Sequence, residues 1–376
     1  MVNEKGNNQA YRLREIDFLR GIAIILVLIR HSQVNQLLVN MGWIGVDLFF
    51  VLSGFLVSGL LFREFKTFST LNIKRFLIRR GFKIYPLFYI TAIPYVILYI
   101  VDGNFLISRL LGDLLFLQNY VSDWGYLYPA GWSLAVEEHF YFGIAFVLFF
   151  AIKSPAFKLA VNSKEKWFDR VVATIVILII LVFMGRVLGS RYLSNEIAVF
   201  SQSHYRIDAL LFGVLLSYLY NFKFQVLKKF YEKYRRILIL ICFLGLTWTP
   251  FIDPIPSFFA KTFGFSLLSI SFFILLLCFI LDKKINDKLD TIFSRLGVNL
   301  ISKIGVSSYS IYIIHTLVNL LIHRAFSTLD LYSNPYILFF LTTFCSVFLG
   351  FFLTKYVEQY FLKLRDRYFP RTASAL

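Results

Sequence analysis

Residues 17–31 read DFLRGIAIILVLIRH and combine a long apolar run with ionisable side chains. Arg20 and His31 are about three helical turns apart, so on an α-helix they share one face at a separation of roughly 16 Å. Ionisable groups are costly in hydrocarbon and generally face a bundle interior or a wet cavity. We therefore expect a first membrane helix that presents Asp17, Arg20 and His31 to a cavity. The alternative is that Arg20 reaches the interface and His31 marks the end of the helix.

The composition of the whole chain is that of an integral membrane protein. Of 376 residues, 58% are hydrophobic and only 16% are charged, whereas a soluble domain has about 25% charged residues. The first residues lack the pattern of a secretory signal, so no cleaved signal peptide is expected. The three cysteines lie in apolar segments and have neither disulfide nor metal-ligand spacing, so we expect no metal.

The net charge of +17 is concentrated in alternate loops, as the positive-inside rule describes, which argues against nucleic-acid binding. We expect an all-α polytopic fold with cytoplasmic N- and C-termini and a single membrane domain over residues 1–376. About ten transmembrane helices are expected, at residues 17–37, 41–62, 84–101, 131–152, 171–189, 205–222, 237–251, 262–281, 304–323 and 335–356.

A second polar cluster opens the fourth predicted helix. Ser133, Glu137 and Tyr141 are spaced four residues apart and therefore share one helix face. The adjacent carboxylates Glu137 and Glu138 are costly at a membrane helix entrance unless they are wet or paired. This pattern indicates a polar face that opens toward the outside.

A third cluster, formed by Arg79, Arg80 and Lys83, precedes the third predicted helix. Clustered cations beside a cavity suit an anionic ligand, although ordinary positive-inside charge is the simpler interpretation. Later helices also carry polar groups that would face the bundle interior: Arg206, Asp208, Tyr309 and His315.

Taken together, these motifs resemble the membrane acyltransferase-3 family, of the bacterial polysaccharide O-acyltransferase type. The resemblance runs in order over nearly the whole chain, through residues 17–21 with His31, 45–55, 132–141, 206–213 and 305–315. The sequence departs from the usual family motifs at two places. The usual Arg-Ile-x-Pro reads Lys83-Ile84-Tyr85-Pro86, which keeps the charge without the bidentate geometry. The usual terminal Glu-Arg-Pro reads Glu358-Gln359-Tyr360. The soluble SGNH domain of some members is not expected here.

The resemblance implies transfer of an acyl group, often acetyl, from cytoplasmic acyl-CoA to a hydroxyl of an extracytoplasmic cell-surface glycan or its lipid-linked precursor. His31 would act as general base or transient acyl carrier, and Arg20 would polarise the thioester or steady its charge. Glu137 would orient His31 or position the acceptor, unless it forms an ion pair with Arg206. The remaining expected residues are Arg79, Arg80 and Lys83 at the CoA phosphates, and Asp17, Ser133, Tyr141, Arg206, Asp208, Tyr309 and His315 along the cavity.

Two other functions remain open from the residues alone. A transporter or channel for a polar or anionic solute would line its path with the same intramembrane charges. A lipid-binding scaffold would not depend on His31 at all. For the acyltransferase we expect a multi-pass protein of the bacterial cytoplasmic membrane, with acyl-CoA, a glycan acceptor and membrane lipid as its partners.

Overall fold

The computed structural model describes residues 13–32, 34–162, 169–330 and 334–370. Within these ranges the chain is 83% helical and has no strand, which confirms the all-α fold. Some basic residues used to predict the topology lie outside the described residues: Lys5, Arg12, Lys164, Lys166 and Arg371.

The described residues form helices α1 to α18 in chain order. The first nine are α1 Arg14–Arg30, α2 Gln36–Gly42, α3 Ile44–Phe68, α4 Ile73–Val101, α5 Ile107–Leu114, α6 Gln118–Val121, α7 Trp132–Ala151, α8 Pro155–Asn162 and α9 Arg170–Tyr192. The others are α10 Glu196–Ser201, α11 Ser203–Phe222, α12 Phe224–Leu246, α13 Phe265–Leu281, α14 Ile285–Phe293, α15 Arg295–Val306, α16 Ser308–Thr328, α17 Pro335–Leu353 and α18 Gln359–Tyr368. Two π-helical turns, Ala260–Gly264 and Thr354–Glu358, lead into α13 and α18.

Within the described residues, six helical stretches are long and apolar enough to cross a membrane, so the chain is a multi-pass membrane protein. They are Gln36–Phe68, Ile73–Val101, Trp132–Ala151, Arg170–Tyr192, Ala260–Leu281 and Pro335–Tyr368. The number rises to eight if two bent pairs each count as one span: Glu196–Phe222 with Phe224–Leu246, bent by 111°, and Arg295–Val306 with Ser308–Thr328, bent by 76°.

All ten predicted segments overlap a helix, but some bounds differ. The first predicted helix ends at Arg30 instead of residue 37, and a separate helix, α2, follows, whose start is capped by the Asn35 side chain. The third begins at Ile73 instead of residue 84, so the basic residues 79–83 are helical. Lys and Arg are good helix formers, and Asn72 caps the start of α4.

Close contact between α3 and α11 fixes the centre of the bundle. A Cβ at Gly54 would overlap the carbonyl oxygen of Leu210, and a Cβ at Gly213 would overlap that of Val51. The two backbones therefore touch where both residues are glycine, as in other tightly packed membrane helices. This contact holds the face of α3 that lines the candidate site.

Candidate active site

A cavity of about 190 Å³ lies between α1, α3, α4, α7 and α16. Its polar lining consists of Arg20, Ser53, Arg80, Lys83, Ser133, Glu137, Glu138, Tyr141, Ser308, Tyr309 and Tyr312. Its apolar wall on α3 extends from Val46 to Val57, about 16 Å of helix. The cavity therefore connects the first half of α4, which carries the basic residues, with the beginning of α7.

A chain of hydrogen bonds crosses the middle of this cavity. The Tyr141 hydroxyl donates to Glu137 Oε2 at 2.8 Å, and Ser53 Oγ lies 2.7 Å from the same hydroxyl. Because the Tyr141 proton is already used, Ser53 is the donor to Tyr141. Among the residues that the structure describes, Glu137 has no ion-pair partner, so its carboxylate faces the cavity, and the hydrogen bond that it accepts comes from the neutral hydroxyl of Tyr141.

The three basic residues of the predicted anion site differ in their positions and in their partners. Arg80 lines the cavity, with its guanidinium 5.6 Å from the Tyr141 ring centre, and it makes no hydrogen bond or ion pair with any described residue. Lys83 also lines the cavity but forms an ion pair with Glu358. Arg79 lies outside the lining and binds Asp366 at 2.9 Å. Arg80 is therefore the cation that remains available to a ligand.

Arg20 lies on the same side of the cavity as these basic residues. Its Nη2 donates to Ser308 Oγ at 3.1 Å, and its Nη1 lies 3.7 Å from Asp17 Oδ1. Because Asp17 lies one turn earlier, this ion pair directs the Arg20 guanidinium toward the start of α1. Long side chains on a helix usually point in the same direction. Arg20 thus points away from His31, and Asp17 lies next to Arg20 rather than in the described lining.

His31 lies just beyond the last residue of α1 and is exposed. Its Nδ1 is 2.9 Å from the carbonyl oxygen of Val27. Because a carbonyl can only accept, Nδ1 carries the proton and Nε2 keeps the free lone pair. The ring of the fully buried His315 lies 4.8 Å away, between centroids.

His31 approaches the cavity through its neighbours rather than as part of the described lining. His315 Nδ1 donates to the Tyr312 carbonyl at 2.6 Å. The Tyr312 hydroxyl lies 2.5 Å from Ser133 Oγ and donates to the Ala130 carbonyl at 2.8 Å. These contacts form a series that begins at His31, outside the cavity, passes through His315 and Tyr312, and ends at Ser133 in the lining.

Arg206 and Asp208 belong to a separate cluster of buried ion pairs rather than to the described lining. Arg206 pairs with Asp47 at 2.7 Å, and Asp208 pairs with Arg186 at 2.5 Å. The Arg206 guanidinium also lies 3.6 Å from the ring centre of Phe265. The ion pair between Glu137 and Arg206 that the sequence left open is not formed.

The structure adds site residues that the sequence analysis did not select. Glu138 lines the cavity and accepts a hydrogen bond from Tyr85 at 2.8 Å. Glu358 binds Lys83 and accepts from Ser310 at 3.0 Å. The pair of adjacent carboxylates at 137–138 and the glutamate of the terminal motif were the available signals. Tyr309, which was selected, lines the cavity and donates to the Ile84 carbonyl at 2.7 Å.

In the described part of the chain, no three His, Cys, Asp or Glu side chains are grouped closely enough to hold a metal ion. The polar groups of the cavity are instead the cations Arg20, Arg80 and Lys83, two carboxylates and several hydroxyls. This set can bind an anion at one end and hydroxyl groups at the other.

Comparison with known proteins identifies the family of this chain. A family model described as an acyltransferase domain matches residues 13–356, and the chain therefore belongs to the acyltransferase-3 family, as its motifs predicted. No solved structure matches the chain.

The relatives described next are bacterial proteins. The chain is 33% identical over 164 residues to the peptidoglycan O-acetyltransferase OatA of Listeria monocytogenes, a match that covers 39% of this chain and 26% of that protein. It is 26% identical over 384 residues to a putative O-acetyltransferase of Staphylococcus aureus, covering 96% of this chain and 54% of the relative. A putative peptidoglycan O-acetyltransferase of Bacillus subtilis is 30% identical over 141 residues, 34% of this chain and 22% of that protein. The chain thus spans about half the length of the staphylococcal relative.

Proposed function

We propose that this chain is a transmembrane O-acetyltransferase that moves the acyl group of cytoplasmic acyl-CoA, with acetyl-CoA as the expected donor, to a hydroxyl of an extracytoplasmic glycan or its lipid-linked precursor. The observation that carries this proposal is one cavity that holds Arg80 and Glu137, neither of which has an ion-pair partner in the described part of the chain. Family membership implies an acyl donor. The names of the Listeria and Bacillus relatives support a glycan acceptor.

The proposed topology makes residues 1–376 one membrane domain with about ten crossings and both termini in the cytoplasm of a bacterial cell. It is supported by the overlap of each predicted segment with a helix and by the basic residues in alternate connections. In this topology Arg80 lies toward the cytoplasm, and the beginning of α7 lies toward the outside. The cavity then extends in the direction that the acyl group must travel.

Donor binding is assigned to the basic end. Arg80 would bind the CoA phosphates with charge-assisted hydrogen bonds, for which guanidinium groups are well suited. Lys83 would contribute when its ion pair with Glu358 opens or is shared, and Arg79 would act from the periphery. Arg20 would guide the thioester arm past Ser308. The direction of its guanidinium favours this role over polarising a carbonyl beside His31.

The transfer step is assigned to His31. Its Nε2 takes the proton of the acceptor hydroxyl while the acceptor oxygen attacks the thioester carbon. The carbon–sulfur bond then breaks, and the CoA thiolate leaves with that proton as the thiol. In the covalent variant of this route, Nε2 attacks the thioester carbon, the carbon–sulfur bond breaks and CoA leaves as the thiolate. The acceptor oxygen then attacks the acyl carbon, the bond to Nε2 breaks, and the acceptor proton passes to the CoA thiolate. The hydrogen bond to Val27 holds the ring in the tautomer that either route needs.

Acceptor binding is assigned to the half of the cavity that contains Ser133, Glu137 and Tyr141. Sugar hydroxyls both donate and accept, and here a carboxylate lies beside two hydroxyl side chains. His315 would hold the position of the His31 ring. Arg206 and Asp208 would serve the fold rather than the reaction, since both are paired.

The direct test is to incubate the purified protein in detergent with acetyl-CoA and a soluble glycan fragment, and to measure free CoA thiol and acylated glycan. We expect both products in equal amounts. Ion or solute flux in liposomes without any CoA turnover would instead identify a transporter. The acceptor itself would follow from the structure of the host's surface glycan with and without this protein.

A further inference from the structure

A second cavity, here called the groove, lies on another face of α7. Its volume is about 780 Å³, and it is lined mainly by apolar side chains of α7, α9 and α11. Residues two positions apart on a helix point to nearly opposite sides. Accordingly, α7 presents Glu137 to the candidate active site and His139 to the groove. Nothing in the proposed acyl transfer uses this space.

The dimensions of the groove match one hydrocarbon chain. Along α7 it extends from His139 to Ala151, about 18 Å of helix. One leaflet of a bilayer contributes about 15 Å of hydrocarbon, half of the usual core. The walls include exposed apolar side chains, among them Val147 at 54% and Leu178 at 38% exposure. The groove is therefore open to the membrane and long enough for an acyl chain.

Gly143 lies in the middle of α7 and lines the groove. A glycine inside a helix costs about 1 kcal/mol relative to alanine, and close approach of another backbone is the usual reason for it. A Cβ at Gly143 would meet no atom within 4 Å. Contacts within the described chain therefore do not explain why residue 143 is a glycine. A molecule that occupies the groove would explain it, because it would need the space of the side chain.

The two ends of the groove differ in charge. At one end, His139 bonds Ser203 at 2.6 Å and Tyr120 bonds His204 at 3.0 Å, so each pair is bonded within the protein. At the other end, exposed Arg170 makes no side-chain hydrogen bond or ion pair with any described residue.

The acidic residue next to Arg170 in the sequence, Asp169, already has other partners. Asp169 binds Lys223 at 3.2 Å and Tyr218 at 2.9 Å. Arg170 therefore offers an available positive charge at the mouth of an apolar groove, which is the arrangement that a phosphate with an attached chain would match.

We propose that the groove binds one anionic glycerophospholipid, with its phosphate at Arg170 and one acyl chain along α7 against Gly143. Such a lipid would fill the space between α7 and α9 and would support α7 on the side opposite Glu137. Neither residue belongs to the proposed transfer machinery, so this site can be tested without an activity assay.

The test is native mass spectrometry of the full chain released from nanodiscs of phosphatidylglycerol or phosphatidylcholine. The wild type should retain one phosphatidylglycerol. Gly143→Leu, which fills the groove where the structure has open space, should reduce retention at least tenfold, while the matched control Gly143→Ala should retain the lipid. Arg170→Gln should abolish the preference for phosphatidylglycerol over phosphatidylcholine.

Three results would overturn the proposal. One is equal retention by the wild type and Gly143→Leu, which would mean that only loosely associated membrane lipid is present. Another is a co-purified isoprenoid phosphate that phosphatidylglycerol does not displace. The third is a dimer whose interface covers Gly143. Thermal melting of both Gly143 variants serves as the folding control, since replacing this glycine should stabilise α7.

Discussion

Two groups of intramembrane charges occur within the same bundle, and they are arranged in opposite ways. In the ion-pair cluster, Asp47 with Arg206 and Asp208 with Arg186 are matched one to one, with side chains no more than 2% exposed. In the cavity, Arg80 and Glu137 share one space, and neither has an ion-pair partner among the described residues. Burying a charge is costly unless it is paired. The first group therefore serves the fold, and the second is kept available for ligands.

The largest effect expected from this comparison follows from removing His31, which lies next to the cavity through His315 and Tyr312. His31→Ala should lower the acyl-transfer rate by about 10²- to 10⁴-fold, the usual contribution of general acid–base catalysis. The melting temperature should stay near that of the wild type, because the side chain is exposed and its described hydrogen bond is to a helix-end carbonyl. Normal glycan acylation by this variant would rule out a catalytic His31.

The opposite result is expected in the ion-pair cluster. Asp47→Ala leaves Arg206 buried without its carboxylate and should cost about 3–5 kcal/mol of stability, measured by thermal or denaturant unfolding. Combining Asp47→Ala with Arg206→Met removes the orphaned charge and should recover part of that loss. If the single variant is as stable as the wild type but inactive, the cluster belongs to the reaction and not to the fold.

A smaller effect is expected at the basic end of the cavity. Arg80→Ala removes a charge-assisted contact of roughly 1.5–3 kcal/mol, so acetyl-CoA should bind about ten- to a hundredfold more weakly. Arg79→Ala is the matched control and should have the smaller effect, since Arg79 already binds Asp366. Affinities for acetyl-CoA are measured by calorimetry. Equal values for the wild type and Arg80→Ala would mean that these basic residues only orient the protein in the membrane.

The smallest effect concerns Asp113, a buried carboxyl outside the membrane spans that is bound by the backbone amides of Tyr126 at 3.0 Å and Leu127 at 2.6 Å. Burial raises its pKa to about 6, although these amides oppose the shift. The folded state thus binds more protons between about pH 4 and 6, and stability falls as the pH rises through that window.

Raising the pH from 5 to 7 should therefore cost about 1 kcal/mol through this group. Thermal unfolding of the wild type and Asp113→Asn at both pH values isolates the effect, because the variant lacks the titrating carboxyl. Identical pH dependence of the two proteins would show that the carboxylate is fully accommodated by its amide donors.

Much of the fold could be predicted from the sequence because apolar length and loop charge report directly on membrane helices. The residues at which the helices begin and end were harder to predict. The predicted helix at 17–37 is split, because α1 ends at Arg30 and Asn35 caps a separate helix, α2. The Lys- and Arg-rich stretch at 79–83 extends a helix instead of forming a loop. Helix propensity and positive-inside charge act on the same residues, and only the structure separates them.

The candidate site was predictable where one helix carries the pattern, as for Ser133, Glu137 and Tyr141, which do line one cavity. Pairing between helices was not predictable. The sequence does not reveal that Arg206 meets Asp47 rather than Glu137, or that Lys83 meets Glu358. Residue spacing also placed Arg20 and His31 on one face, but the Asp17 pairing turns Arg20 toward the opposite end.

The central claim is that donor and acceptor meet through the membrane from opposite sides. The measurement that tests it most directly uses oriented vesicles, with acetyl-CoA supplied on one side and a glycan acceptor on the other. We predict acylation only when acetyl-CoA is on the cytoplasmic side, where Arg80 is expected, and the acceptor is on the outer side. Efficient acylation of an acceptor confined to the CoA side, with none across the membrane, would contradict the through-membrane route.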